Sequence, residues 1–590
     1  MKQIKRLFFF LLFISTSYAV SLAQENLSFF LHTIEKGQSL YSIAKMYQIS
    51  TSDIIRLNPG CEEKIYAGQT IKIPKGLGGT KGPTFHTIQA GETLYKLTVH
   101  YQVSAKAICV ANPGLSAENF RIGQVILIPD INVPTEQTES AENQPTVQQS
   151  IQGPVVPKCK EMHKVKRKET IFSVSHLYGI SEQELIEANP ELKKGMKKGQ
   201  WLCIPYPKAT VQQPVTPAAD DRSAPSNKEL FDKNKEKGKA ISTIQAALIL
   251  PFHEDRRMVE YYEGFLMAVD SLKRKGTSLD LYVYDSGREL ATLNRVLTQN
   301  EMKKMDVIFG PVYPNQIKPL SDFAKKNDIR LVIPFSKQGE EVFSNPQVYQ
   351  INTPQSYLYS EVYEHFTRQF PNAHVIFIEP AVTDKNKADF IKGMKQELKL
   401  KGISTDVVSE SAPKEVMAQK LRNGKTNIFV PTSSRNVLLI RALPQLILLV
   451  RENPEQEVHL FGYPEWQTYT KDHLESFFEL DTYFYSSFYT NTLFPAAVRF
   501  TNSYHKWYSK DLVSEWPNYA MLGFDTGFFF LQGLTRYGSK LEDNLNKMNL
   551  TPIQTGFKFQ RVNNWGGFIN KKVFFIRFAK NYELVKLDFE

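Results

Sequence analysis

Apolar and polar positions recur in the same order three times in the N-terminal part of the chain, beginning at His32, His86 and His163. Each copy opens with an alternating stretch, which predicts a half-buried strand. Helically spaced apolar residues follow, and a second helical pattern stops before an Asn-Pro pair because a residue preceding proline leaves the helical region. A short alternating aliphatic stretch closes the copy. The pattern predicts one strand–helix–helix–strand unit used three times.

The residues between these elements support this unit. Ser39 is placed to cap the first helix, and Thr93 and Thr170 occupy the same position in the later copies. The copies closely resemble the LysM domain, a small βααβ module. The residues that carry the resemblance in copy one are Gly37-x-Ser39-Leu40, Asn58-Pro59 and Gly68-Gln69-x-Ile71-x-Ile73-Pro74. We predict LysM modules at residues 30–75, 84–130 and 158–206.

The resemblance implies that these modules bind glycans containing N-acetylglucosamine, such as peptidoglycan, in a groove between the first loop and the last. Carried over by position, the groove residues are Gly37, Ser39, Leu40, Asn58 and Pro59 in copy one, Gly91, Thr93, Leu94, Asn112 and Pro113 in copy two, and Thr170, Ile171, Asn189 and Pro190 in copy three. A glycan needs close backbone approach at a glycine, hydrogen-bond donors and an apolar floor under its acetyl methyl. The alternative is that the Asn-Pro pairs only shape a turn and that the leucines belong to the core.

Copy three departs from the LysM pattern. Lys168 replaces the glycine of the first loop, and Glu191 follows the Asn-Pro pair where the other copies have glycine. A bulky cation at the glycine position narrows the groove, so we expect copy three to bind glycan more weakly or differently. Its excess of lysine and arginine is typical of a solvated basic surface, and the alternative is that it attracts the stem-peptide carboxylates of peptidoglycan.

The N-terminus predicts export. Residues 1–23 combine basic positions, an apolar run from Leu7 to Ile14 and small residues up to Ala23, which is typical of a secretory signal peptide. No cysteine stands at the expected cleavage site, so the pattern does not indicate a lipoprotein. Later apolar runs are too short to span a membrane. We expect a periplasmic or secreted protein without a transmembrane anchor.

Composition narrows the partners. The formal net charge of +11 suggests an anionic counterpart. Because nucleic-acid-binding motifs are absent from this exported chain, we expect a wall polymer and no nucleic acid. Among the four cysteines, Cys159 lies just before the first strand of copy three and Cys203 lies on its last strand, and because these strands are expected to be antiparallel neighbours, a disulfide between the two is an expectation. Cys109 aligns with apolar positions and is predicted to be buried, and the cysteine spacing predicts neither a metal site nor a cofactor.

Two tracts, 131–157 and 207–240, are too polar to build a core and are predicted to be flexible linkers. From residue 241 to residue 590, buried-type strands alternate with helices, which favours parallel sheets covered by helices in two lobes. The predicted fold is thus an α/β multidomain chain. Three separate LysM modules, or beads, are joined by flexible linkers and precede a two-lobed domain.

This C-terminal domain resembles the type I periplasmic-binding-protein fold, especially the branched-chain amino-acid receptors. The carrying segments are Glu263-Gly264-Phe265, Ile308-Phe309-Gly310-Pro311, Leu331 to Ser336, Tyr349 to Pro354 and Tyr519-Ala520-x-x-Gly523-Phe524-Asp525. The resemblance implies a ligand cleft between the lobes at the carboxyl ends of the strands. It aligns Ser336 with a serine that binds amino-acid carboxylates, although a capping role is the alternative. No acidic partner for an amino group is evident.

No nucleophile elbow, zinc-binding helix motif or phosphate loop occurs, so we expect no catalytic residues. Two functions remain. The first is a peptidoglycan-binding protein whose C-terminal domain senses a ligand or docks a cell-wall enzyme. The alternative is a receptor for amino acids or peptides that LysM modules retain at the wall. A wall hydrolase of unrecognised type is a weaker third interpretation.

Overall fold

The computed structural model describes residues 29–35, 38–62, 65, 68–74, 84–129, 161–165, 171, 174–175, 185–186, 188–189, 192, 196, 200–204, 225–234, 240–382, 384–492, 494–548 and 550–589. The predicted signal peptide, the linker 131–157 and most of 207–240 lie outside these residues. So do Gly37, Thr170, Pro190 and Cys159, and therefore the predicted disulfide.

Modules one and two have the predicted βααβ order. Module one contains β1 (Phe29–Thr33), α1 (Leu40–Met46), α2 (Thr51–Leu57) and β2 (Thr70–Pro74), and module two contains β3 (Thr84–Thr87), α3 (Leu94–Tyr101), α4 (Ala105–Ala111) and β4 (Val125–Ile128). In each module the two strands are antiparallel, with His32 opposite Ile71 and His86 opposite Ile126. The inward aliphatic residues of the closing strands are fully buried, as their alternation predicts.

Module three is a compact unit of its own within residues 132–224. Its described strands, β5 (Glu161–Lys164) and β6 (Trp201–Ile204), are antiparallel, with His163 opposite Leu202. Its core consists of Val165, Val174, Leu185, Leu192 and Leu202. These buried positions match the apolar pattern of the first two copies.

Modules one and two are not separate beads, contrary to the sequence interpretation. They belong to the same compact unit as the C-terminal domain. The Thr87 hydroxyl donates to the carbonyl oxygen of Leu31 across the two modules at 3.2 Å. The side chains of Phe30, Phe85 and Trp565 share one hydrophobic cluster, so the C-terminal domain contributes to the core between the modules.

The predicted linker 207–240 contains a helix, α5 (Asn227–Asn234). Ser226 and Glu229 form a reciprocal capping box at its start, since each backbone N–H donates to the other side chain. The apolar side of this helix packs on module two. The part of this tract that the structure describes is therefore ordered by capping and by burial of one aromatic side chain.

The C-terminal domain alternates strands and helices along the chain. The strands are β7 (Ile244–Leu250), β8 (Leu279–Asp285), β9 (Val307–Phe309), β10 (Arg330–Ile333), β11 (Val348–Gln350), β12 (Ala373–Glu379), β13 (Ser404–Ser409), β14 (Thr426–Pro431), β15 (Val458–Gly462), β16 (Thr482–Ser486), β17 (Phe559–Arg561), β18 (Phe568–Asn570), β19 (Phe574–Phe578) and β20 (Leu584–Asp588). The helices are α6 (Arg256–Lys273), α7 (Leu290–Leu297), α8 (Pro314–Lys326), α9 (Gln355–Gln369), α10 (Ala388–Leu400), α11 (Lys414–Ala418), α12 (Asn436–Glu452), α13 (Thr470–Glu479), α14 (Pro495–Tyr508) and α15 (Tyr519–Tyr537).

These strands form two mixed seven-stranded sheets, one per lobe. The order in lobe one is β17-β18-β11-β10-β9-β7-β8, and in lobe two it is β13-β12-β14-β15-β16-β19-β20. Most neighbours are parallel, whereas β17, β19 and β20 run antiparallel to theirs. Alternate residues of β7 enter two cores, with Leu248 on one face and Ile249 on the other. Burial on both faces explains why this strand reads as a continuous apolar run.

Two glycines bring α6 and α15 into close contact in lobe one. A Cβ on Gly264 would collide with the carbonyl of Ala520, and one on Gly523 would collide with the carbonyl of Tyr261. Both glycines belong to segments that carry the sequence resemblance. The chain passes between the lobes after β11, after β16 and after β18, so the carboxyl ends of both parallel sheets border the cleft.

Candidate functional site

The predicted glycan groove of each module is called the furrow below. Its first wall is the start of the first helix. Ser39 has extended backbone angles, and its side chain accepts a hydrogen bond from the N–H of Ser42 at 3.1 Å. Thr93 accepts from the N–H of Lys96 at 3.2 Å. The predicted caps are confirmed for modules one and two. Gly91 has a φ of +79°, a left-handed conformation that favours glycine.

A buried histidine fixes the loop that precedes this cap. The Tyr47 hydroxyl lies 2.7 Å from Nδ1 of His32, and the opposite ring nitrogen lies 2.8 Å from Oε1 of Gln38. That same oxygen accepts the N–H of Glu35, which closes the loop. Burial lowers the pKa of His32, and the hydrogen bond with Gln38 opposes that shift. The imidazole therefore acts as a neutral bridge between strand, loop and helix.

Module two repeats this network with different residues. His86 lies between the Tyr101 hydroxyl and the carboxylate of Glu92, which also accepts the N–H of Gln89. Sequence reasoning missed the network. Its signal is nevertheless present in all three copies, since a Gln or Glu stands six positions after each opening histidine and a tyrosine stands fifteen positions after it.

The asparagines of the Asn-Pro pairs hold the second wall in place. The Asn58 side-chain amide donates to the carbonyls of Ile54 and Lys72 at 2.8 and 2.7 Å, and its oxygen accepts the N–H of Lys72 at 2.8 Å. Asn112 makes the same three bonds with Ile108 and Leu127. Both amide protons are used inside the module. These asparagines therefore shape the furrow and have no proton left to donate to a glycan.

The apolar floor differs between the two modules. Leu40 of module one is half-buried, whereas Leu94 of module two is fully buried. The N–H of Leu94 donates to Oδ1 of Asn227 in α5 at 2.8 Å. Pro59 and Pro113 are exposed at the rim. In module two, another segment of the chain therefore covers the start of the first helix.

Less of module three is described. Ile171 is half-buried, and Asn189 is buried and donates to the carbonyl of Leu185 at 2.8 Å, as the equivalent asparagines do. Of the cysteines within the described residues, Cys61 and Cys109 are free. Cys109 is half-buried, not buried as predicted, because α4 turns it to the rim of the core.

The second candidate site is the cleft between the lobes. Ser336 follows β10, and its hydroxyl donates to the carbonyl of Gln338 at 2.7 Å and accepts the N–H of the same residue. Ser336 therefore caps a loop turn and not a helix. Its only proton is used in that turn.

Sequence reasoning found no acidic partner for an amino group, but the structure has a carboxylate just after the carboxyl end of one lobe-two strand. Glu465 follows β15, and its carboxylate accepts the ammonium group of Lys387 at 2.7 Å. Lys387, only 5% exposed, also donates to Gln355 at 3.0 Å and lies 4.9 Å from the centre of the Tyr463 ring. An ammonium group from within the chain therefore already neutralises the cleft carboxylate.

Among the residues that the structure describes, no cluster of three or more His, Cys, Asp or Glu side chains could hold a metal ion. Within the same residues, no helix is both long and apolar enough to cross a membrane.

Comparison with known proteins identifies the repeated modules. The family model of the LysM domain matches residues 32–74, 86–129 and 163–205. The chain contains three LysM domains, at the positions that the repeat predicted. The match leaves the C-terminal domain uncovered.

Several wall-associated proteins are similar to the chain. An autolysin of Enterococcus faecalis is 31% identical over 105 residues, which cover 16% of this chain and 14% of the relative. An endolysin of Bacillus phage B103 is 33% identical over 98 residues, which cover 16% of this chain and 36% of the endolysin. A probable N-acetylmuramoyl-L-alanine amidase of Haemophilus influenzae is 23% identical over 164 residues, which cover 28% of this chain and 29% of the amidase. The chain thus spans well under half the length of these relatives, and the matches fall in the LysM region.

Solved structures resemble the C-terminal domain. A substrate-binding protein of Desulfitobacterium hafniense, in complex with Leu, is 14% identical with a TM-score of 0.34, and the match covers 58% of this chain and all of that one. A putative branched-chain amino-acid transporter protein of Rhodospirillum rubrum is 12% identical with a TM-score of 0.42 over the same shares. A likeness of this size does not assign a ligand to the chain. The description of two lobes rests on the strand order of the two sheets.

Proposed function

We propose that the chain is an exported, non-enzymatic protein that binds peptidoglycan or a related N-acetylglucosamine glycan, and whose two-lobed domain docks a cell-wall partner or senses a ligand. The observation that carries the proposal is the presence of three LysM domains in one chain. Several modules on one polymer bind more tightly than any one alone when their spacing lets them engage together.

The geometry of module one supports glycan binding. Its two walls are fixed by hydrogen bonds inside the module. Little conformational entropy is therefore lost when a ligand binds between them. Ser39 is exposed and Leu40 half-buried between these walls, which offers a polar edge and an apolar floor. Such a floor suits an acetyl methyl group.

The cleft supports protein docking over capture of a free amino acid. An amino-acid receptor needs donors for a carboxylate and an acid for an ammonium group. Here the Ser336 hydroxyl is engaged with Gln338, and the Glu465 carboxylate is engaged with Lys387. A ligand would have to displace both interactions, each of which already satisfies a polar group.

Co-sedimentation with purified sacculi tests the glycan proposal. We expect the full mature chain to pellet, to be released by N-acetylglucosamine oligomers, and to stay bound at raised salt. The double variant L40S/I171S should pellet less because it removes the apolar floors of modules one and three. The matched variant V99S/V110S changes two exposed helix positions of module two and should pellet normally. Equal pelleting of both variants would count against the furrow.

The second candidate is an amino-acid or peptide receptor retained at the wall. It is favoured by the position of the Glu465 carboxylate at a strand end beside the cleft. Calorimetric titration of the full chain with amino acids distinguishes the two functions. Saturable heat would support the receptor, and its absence together with partner capture would support docking.

A further inference from the structure

Helix α5 lies across the furrow of module two. Its Phe231 side chain, 8% exposed, belongs to the same hydrophobic cluster as Leu94, the floor residue of that furrow, and Leu115, which follows the Asn-Pro pair. The Phe231 ring centre lies 6.1 Å from that of Phe120, in the loop before β4. The helix therefore contacts both the loop at Leu94 and the loop that leads into the last strand.

The polar contact of α5 has the chemistry of an acetamido group. Oδ1 of Asn227 accepts the N–H of Leu94, the first residue of α3, at 2.8 Å. This N–H belongs to the helix start and has no partner within its own helix. A side-chain carboxamide and the N-acetyl group of a sugar present the same carbonyl acceptor. Asn227 thus offers this N–H the bond that an N-acetylglucosamine residue would offer.

Module one provides an internal comparison. Leu40 and Ser39 stand at the positions of Leu94 and Thr93, but Leu40 is half-buried and Ser39 exposed. In module two the leucine is fully buried and the threonine half-buried. The residue types are nearly the same, so the difference follows from the helix that covers module two.

We propose that α5 is an intramolecular occupant of the module-two furrow, which a glycan must displace before module two can bind. The inference rests on the proposed glycan-binding function. Because α5 belongs to the same chain as its site, it competes with a free glycan as an intramolecular ligand. The apparent affinity of module two for glycan is its intrinsic affinity multiplied by the fraction of molecules in which the furrow is open.

The test uses the full mature chain and a variant of the two contacting residues, N227A/F231A. In calorimetric titration with N-acetylglucosamine oligomers, module two of the variant should bind about tenfold more tightly than module two of the unaltered chain. The reason is that the fraction of molecules with an open furrow rises toward one. The matched control K228A/D232A changes two exposed positions of the same helix and should titrate like the unaltered chain. A synthetic peptide of residues 225–234 should lower glycan binding by N227A/F231A.

A second readout needs no variant. Hydrogen exchange of residues 225–234 in the unaltered chain should accelerate when the oligomer binds, because displaced helix loses its protection. Unchanged protection with glycan bound, together with equal titrations of N227A/F231A and the unaltered chain, would overturn the occupant and leave glycan binding intact. An absence of binding by every form would overturn both proposals.

Discussion

The indole ring of Trp565 lies 5.1 Å from the ring of Phe85, so a residue between β17 and β18 of lobe one is part of the core of the LysM pair. Around it, the N–H of Gly114 donates to the carbonyl of Asn564 at 2.8 Å, and the Asn564 side chain donates to the carbonyl of Val125 at 2.9 Å. Modules one and two are therefore held on the C-terminal domain by an apolar anchor inside a polar rim.

Replacing this anchor should release the modules. Trp565 is 4% exposed, so W565A should lower the free energy of unfolding by about 3 kcal/mol or more, through lost burial and the cavity that remains. Chemical denaturation measures the loss, and limited proteolysis should release a fragment with modules one and two earlier than from the unaltered chain. The matched variant W507A, at a 46% exposed position, should change little. Similar losses for both tryptophans would contradict the anchor.

The Asn-Pro asparagines should act on folding and not on sugar contact. N112A leaves the partly buried N–H and carbonyl of Leu127 without partners, which costs about 1–3 kcal/mol per group, whereas the Ile108 carbonyl keeps the backbone N–H of residue 112. Denaturation of the N112A chain should therefore show a loss confined to module two. N502A, at an exposed helix position, is the control. Glycan affinity that falls while stability stays unchanged would show that Asn112 touches the ligand directly.

The cleft ion pair should show strong coupling in a double-mutant cycle. K387M leaves the Glu465 carboxylate without its cation, and E465Q should restore part of the lost stability. We expect a coupling free energy above about 1 kcal/mol because Lys387 is almost fully buried. The exposed pair Lys395 and Glu379, 3.6 Å apart, should give less than about 0.5 kcal/mol. Equal coupling for both pairs would contradict an internally satisfied cleft.

His365 should make the chain less stable in acid. Burial lowers its pKa to about 4, and the nearby Lys558 acts in the same direction. Because the unfolded chain takes up this proton near pH 6.5, stability should fall as the pH drops from about 6.5 toward about 4 and then level off for this group. H365F should flatten this part of the stability profile, since the ring stacks on Phe589 without a proton to bind. H505F, at an exposed position, should not; an unchanged slope in H365F would refute the assignment.

The local patterns predicted most of the architecture. Both LysM sheets, the caps at Ser39 and Thr93, and strands such as β7 and β12 follow from residues close together in sequence. β13 was missed because it is a mostly exposed edge strand without a continuous apolar run.

The remaining features are long-range. No local pattern shows that Trp565 enters the core of modules more than 400 residues upstream, or that Lys387 meets Glu465. The ordered α5 was missed because a single buried phenylalanine in a polar stretch reads as linker, although its Ser226 and Glu229 form a capping box. At the furrow, sequence reasoning could not tell that the asparagine amides are used within the module.

The most direct measurement is a pair of calorimetric titrations of the full mature chain, one with N-acetylglucosamine pentamer and one with the matching glucose pentamer. The two sugars differ only in their acetamido groups, so the pair isolates the chemistry assigned to the furrows. We predict saturable binding of the N-acetylglucosamine oligomer and none of the glucose oligomer. Equal binding of both, or binding of neither, would contradict recognition of the cell-wall glycan.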